Sequence, residues 1–139
     1  MFQLTPSGNL TTLVAFNSSN GFEPRGLIQG SNGDFYGTTE LGGAISEGTV
    51  FQLTPSGNLT TLTSFNGSDS AYPNAGLIQG SNGDFYGTTF LGRGINSRKG
   101  TVYVVNFSQS VPEPDSLLGA LTVSGILIVR LVKPNRSLL

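Results

Sequence analysis

Residues 26 to 39 read GLIQGSNGDFYGTT, and residues 76 to 89 repeat those letters unchanged at an offset of 50. Working outward, FQLTPSGNLTTL occupies residues 2 to 13 and returns at 51 to 62, an offset of 49. Gly48-Thr49-Val50-Phe51 returns as Gly100-Thr101-Val102-Tyr103, an offset of 52. A period near 50 residues marks a chain assembled from like units, each unable to bury its apolar surface alone. The offset drifts because two stretches change length, AFNSSNGFEPR against SFNGSDSAYPNA and ELGGAISE against FLGRGINSRK. Both are rich in small, polar or turn-forming residues and read as surface loops.

Each unit parses into four short extended segments, in the complete copy Leu27–Gln29, Asp34–Thr39, Thr49–Thr54 and Leu59–Phe65. Asn32-Gly33 between the first pair predicts a tight hairpin with positive φ angles, and Pro55-Ser56-Gly57-Asn58 predicts a second turn. Phe51 and Leu53 fall on one face of a strand, Val50 and Gln52 on the other. No helical apolar period appears before residue 116. Four strands per unit of this length predict an all-β, propeller-like repeat region over 1–107, with units split 1–16, 26–65 and 76–107. About two units make an incomplete ring, since propellers close with 4 to 8 blades. Met1 falls inside a repeat, and Met1–Pro6 has neither the charged nor the apolar region of an export signal. The sequence is therefore expected to be part of a longer repeat protein with an upstream signal peptide, a truncated remnant of one, or a chain that self-associates through open sheet edges.

After Phe107 the composition changes. Residues 108–116 form a linker holding Val111-Pro112-Glu113-Pro114. Residues 117–132 are an apolar run expected to form one transmembrane-type helix, short for the ~20 residues a span requires. Residues 133–139 are a basic tail; Arg130, Lys133 and Arg136 flank the run and would stay on the cytoplasmic side, leaving the repeats outside.

The 139 residues include no His, Cys or Trp. That excludes thiol and imidazole metal sites, Ser-His-Asp triads and disulfides. Seven basic residues against eight acidic give a net charge of -1, so no basic field exists for nucleic acid. Asn32-Gly33-Asp34 and Asn82-Gly83-Asp84 could be read as calcium turns, but such a site needs 6 to 8 oxygens, so they are taken as turn formers. Phe35, Tyr36, Phe85 and Tyr86 could offer an aromatic platform for sugars, but in stacked sheets such residues fill the space between layers. Gly37, Gly48, Gly87 and Gly100 are read as allowing close strand packing. Glu23, Asp34, Glu40, Glu47, Asp69 and Asp84 form no recognisable pair for glycoside hydrolysis. The sequons at Asn17 and Asn66 are ordinary for so Ser- and Asn-rich a chain. No enzyme activity, cofactor or metal is expected.

Over residues 1 to about 107, GLIQGSNGDFYGTT followed by Gly-Thr-Val-Phe-Gln-Leu-Thr-Pro-Ser-Gly resembles the GloVer tandem repeat of bacterial surface proteins. From Val111 onward, Pro112-Glu113-Pro114, an apolar stretch and a basic cluster look like a PEP-CTERM sorting signal. These resemblances imply an exosortase-type membrane protease as partner, anchoring by a C-terminal helix, and delivery to the cell envelope, surface or extracellular matrix. They imply a non-enzymatic surface protein; the alternative is a carbohydrate-binding or carbohydrate-active domain facing an envelope polysaccharide.

Overall fold

The computed structural model describes residues 1–68, 70–92, 99–108 and 126–131, and these are all-β with no helix. The strands follow the repeat. In the complete unit β3 (Phe22–Gln29), β4 (Phe35–Leu41), β5 (Thr49–Leu53) and β6 (Leu59–Ser64) form a four-stranded antiparallel sheet in chain order. Upstream, β1 (Phe2–Leu4) and β2 (Leu10–Thr12) form a hairpin with the sequence of β5–β6. Downstream, β7 (Ile78–Gln79), β8 (Phe85–Thr89), β9 (Thr101–Ser108) and β10 (Ile126–Leu131) form a second sheet in the same order.

One turn geometry closes four of these hairpins. Gly33 N–H donates to Gly30 O at 2.9 Å, Gly30 N–H donates to Asp34 O at 2.8 Å, and Gly33 has φ +89°. The same two bonds recur at Thr5–Asn9, Thr54–Asn58 and Gly80–Asp84. This is a three-residue loop ending in a left-handed glycine. The sequence reading expected positive φ at Asn32 as well, but Gly33 alone carries it. A three-residue loop needs only its last residue left-handed, and Asn32 is left free to use its side chain.

β3 begins five residues earlier than Leu27, running into the stretch read as a loop. Phe22 pairs with Leu41 and Pro24 with Thr39, and the register shifts between Pro24 and Leu27. Pro24 is tolerated because β3 is an edge strand with a bulge, where a missing N–H costs no ladder bond.

Strand alternation gives each sheet a front face toward the preceding unit and a back face toward the following one. On the front of the complete unit Phe51 and Leu53 are fully buried, with Phe16 packed on Phe51 at a ring separation of 5.1 Å. On its back, Tyr36 and Val50 join Phe65, Leu77, Phe85, Tyr103 and Val105 in one buried cluster, with Ile28 and Leu62 packed against it. The core therefore lies between units. Within the complete unit, Gly37 leaves room for the Phe51 ring opposite it, since a Cβ there would stand 2.5 Å from Gly26 O and 2.6 Å from Phe51 Cζ.

Ile126–Leu131 is a strand where the sequence reading placed part of a helix over 117–132. β10 pairs antiparallel with β9, from Ile126 opposite Ser108 to Leu131 opposite Tyr103. The β-branched residues Ile126, Ile128 and Val129 suit a strand, and the edge of β9 offers them a ladder where the repeat puts a fourth strand. Residues 117–125 and 132, the motif Val111 to Pro114, and Lys133 and Arg136 lie outside the described residues; Arg130 is in β10. Among the described residues no helix is long and apolar enough to cross a membrane.

Tyr103 occupies the place of Phe51 in the second unit. Its hydroxyl is buried without a hydrogen-bond partner among the described residues, and burial pushes its phenol far above the ordinary value near 10. Tyr103→Phe should raise the unfolding free energy by about 1 kcal/mol, because an unmade buried hydrogen bond costs about 1–3 kcal/mol. Urea titration at pH 7 measures this. With its phenol pKa raised in the fold, Tyr103 stabilises fully below pH ~10, and that contribution is lost as pH climbs through the folded value. The urea midpoint should fall above pH ~10, less steeply in Tyr103→Phe. Gly37→Ala should cost on the order of 1–3 kcal/mol in the same assay, as overpacking against backbone does.

Candidate functional site

The residues the sequence singles out for chemistry gather at one end of each sheet, in the turn joining the first two strands. Asn32 begins the arrangement. Its Oδ1 accepts the Asp34 N–H at 3.2 Å, and its Nδ2 donates to Asp34 Oδ2 at 3.2 Å and to the Tyr36 hydroxyl at 2.8 Å. From the neighbouring strand Gln52 Nε2 donates to Asp34 Oδ2 at 2.6 Å. Gln29 Nε2 donates across the turn to Gly33 O at 3.1 Å.

The second unit builds the same arrangement. Asn82 Nδ2 donates to Asp84 Oδ2 at 2.8 Å and to the Tyr86 hydroxyl at 3.0 Å, and Gln79 Nε2 donates to Gly83 O at 3.1 Å. Val104 stands where Gln52 would, opposite Tyr86, and the amide donor is replaced by Asn106 two residues on, at 2.9 Å from Asp84 Oδ2. The bond to the carboxylate thus persists although the residue supplying it has moved. Burial raises the Tyr36 phenol, the Asn32 bond opposes this, and the Asp34 charge adds to it. Among the described residues no three His, Cys, Asp or Glu side chains gather as a metal site would need.

The aromatic residues divide. Tyr36 and Phe85 are buried and packed together, ring centroids 4.3 Å apart, across the joint between units. Phe35, on the front of the complete unit, and Tyr86, on the back of the second sheet, are half-buried. Arg25 pairs with both Glu23 and Glu40, and the Glu47 charge raises the Tyr72 phenol. Asp69 lies outside the described residues. Asn17 Oδ1 accepts from Ser19 N–H at 3.0 Å and Asn20 N–H at 3.1 Å, and Asn66 Oδ1 accepts from Ser68 N–H at 3.1 Å, so both sequon amides organise their loops.

Sequence reading missed Gln29, Gln52, Gln79 and Asn106. Gln29 and Gln79 sit in the repeated motif and were legible there in principle. Asn106 was not, because it occupies no equivalent position. Gln79 also joins the units, its Oε1 accepting the Ser31 N–H at 3.1 Å. A cleft of about 210 Å³ opens between the first hairpin and the complete unit, lined by Met1, Gln3 and Leu13 on one side and Leu27, Phe35 and Leu53 on the other.

No curated protein and no solved structure matches the chain. The model of the Gloeobacter/Verrucomicrobia repeat matches residues 1–115, spanning the first hairpin, both sheets through β9 and the turn networks just described. The chain belongs to the Gloeobacter/Verrucomicrobia repeat family.

Proposed function

We propose that this chain is a non-enzymatic repeat protein of a bacterial cell surface or extracellular matrix, its four-stranded units acting as propeller-like blades. Its C-terminal segment directs sorting by an exosortase-type membrane protease. The observation that carries the non-enzymatic reading is the pair of turn networks. Asp34 and Asp84 each accept two side-chain amides, while Tyr36 and Tyr86 each accept from the same asparagine that braces the turn. These groups hold a hairpin shut, and a carboxylate bound up in this way is poorly placed to act as an acid or base in a cleft. Membership in the repeat family supports the repeat role, and the order Pro112-Glu113-Pro114, apolar run, basic residues supports the sorting role.

Two experiments test the two parts. In a screen of envelope polysaccharides no turnover should be seen; hydrolysis lost in Asp34→Asn or Asp84→Asn would sink the non-enzymatic reading. In the same proteins Asp34→Ala should lower unfolding free energy by about 1–3 kcal/mol, since it strands the Gln52 amide. For sorting, an exported reporter fused ahead of residues 108–139 should be processed in an exosortase-bearing bacterium. Glu113→Ala should leave it uncleaved in the cell fraction; equal processing of both would overturn the assignment.

A further inference from the structure

The chain holds four Asn-Gly pairs, at 20–21, 32–33, 66–67 and 82–83. Asparagine is chemically labile, most so before glycine, whose nitrogen no side chain shields. Once the glycine N–H gives up its proton, the nitrogen attacks the asparagine Cγ. A succinimide forms and ammonia leaves, taking up a proton. Water then opens the ring at one carbonyl or the other, giving aspartate or, with the main chain rerouted through Cβ, isoaspartate. In a folded chain the reaction waits on how firmly the glycine nitrogen and the asparagine amide are held.

Three of the pairs are held firmly. At Asn32 and Asn82 the glycine N–H donates to Gly30 O and Gly80 O at 2.9 and 3.0 Å, and the side-chain amide braces the turn through its aspartate and tyrosine. At Asn20 the Gly21 N–H donates to Asn17 O at 2.9 Å, and Gly21 is buried where a Cβ would run into the Thr39 side chain. Asn66 differs. It is exposed, and the Gly67 N–H donates to Ser70 O at 3.2 Å, the longest of the four glycine bonds. Its side-chain bonds all fall on Oδ1, from the Ser68 N–H at 3.1 Å and the Ser68 hydroxyl at 2.8 Å, so among the described residues its amide nitrogen, the leaving group, is tied to nothing. Gly67 also has room to move, since the first atoms a Cβ there would meet belong to Glu47 at 3.6 Å and beyond. One unit earlier Asn17 takes the same two bonds from Ser19, at 3.0 and 2.6 Å, but the nitrogen that follows it belongs to Ser18.

We propose that Asn66-Gly67 is a site of spontaneous deamidation and that its conversion loosens the joint between the two sheets. The pair lies between two points pinned at that joint. Phe65, just before it, packs on Tyr103 at 5.1 Å and donates its N–H to Gly48 O at 2.9 Å; beyond it, Ala75 O accepts from Thr38 Oγ1 at 2.9 Å. An isoaspartyl link adds one main-chain carbon between these points. Either product sets a new carboxylate near that of Glu47, and like charges so placed repel. The chemistry needs only water, so it stands or falls separately from the sorting of the tail and from the non-enzymatic reading.

The test is to age the full chain at mildly alkaline pH, folded and in concentrated urea, and to follow chymotryptic peptides by mass spectrometry with fragmentation that separates aspartyl from isoaspartyl products. In the folded chain Asn66 should convert at least tenfold faster than Asn20, Asn32 or Asn82. In urea the four should convert at similar rates, because the difference between them resides in the fold, and Asn17 should lag in both conditions. Gly67→Ser, which supplies the nitrogen found after Asn17, should slow Asn66 at least fivefold. Within the aged folded sample, the Phe65 N–H should exchange with solvent at least threefold faster in converted chains than in unconverted ones. An Asn66 that stays intact in the folded chain, or is matched there by Asn20, Asn32 or Asn82, refutes the site; unchanged exchange at Phe65 refutes its effect on the joint.

Discussion

The packing of Tyr36 on Phe85 holds because each sheet is apolar on both faces, and a sheet of that kind has to be covered twice. A strand alternates its side chains strictly, so Phe51 and Leu53 face one neighbour while Tyr36 and Val50 face the other. The tyrosine ring joins two demands at this joint. Its apolar body fills the space between layers, and its hydroxyl reaches the turn, where Asn32 donates to it. Packing between units and closure of the hairpin are thereby tied to one side chain.

The turns joined to this packing use little charge. The turns are held by neutral amides and hydroxyls around a single carboxylate, so their geometry depends on hydrogen bonds within four residues and on one donor from the adjacent strand. Each network repeats with the period of the packing. The replacement of Gln52 by Asn106, at an inequivalent position but on the same carboxylate oxygen, indicates that the bond to the carboxylate matters more than the residue that makes it.

Much of this was legible in the letters. The repeat offsets located the units, the alternation at Phe51 and Leu53 assigned their faces, and the glycines of the hairpins marked the turns. Three features were hidden for physical reasons. Phe22–Arg25 reads as loop because Pro24 breaks the strand pattern, yet on an edge a bulge absorbs it. Ile126–Leu131 reads as helix because a uniformly apolar run carries no period, and the edge of β9 decides the outcome through a partner far along the chain. Asn106 is invisible to repeat alignment because geometry, and not register, brings it to Asp84.

The joint has a further consequence for how such chains change length. Its two halves lie on opposite faces of every unit, so a unit inserted between two others brings a socket for its predecessor and a tyrosine for its successor. Duplicating one period in the gene needs no compensating mutation elsewhere, and loss of one period leaves matched surfaces on either side of the gap. The first unequal stretch changes length while Phe65 and the Ala75 carbonyl within it keep their places at the joint, so the length change is absorbed between those contacts. The number of units is then set by events in the DNA and by selection on reach, while the fold of each unit stays unchanged.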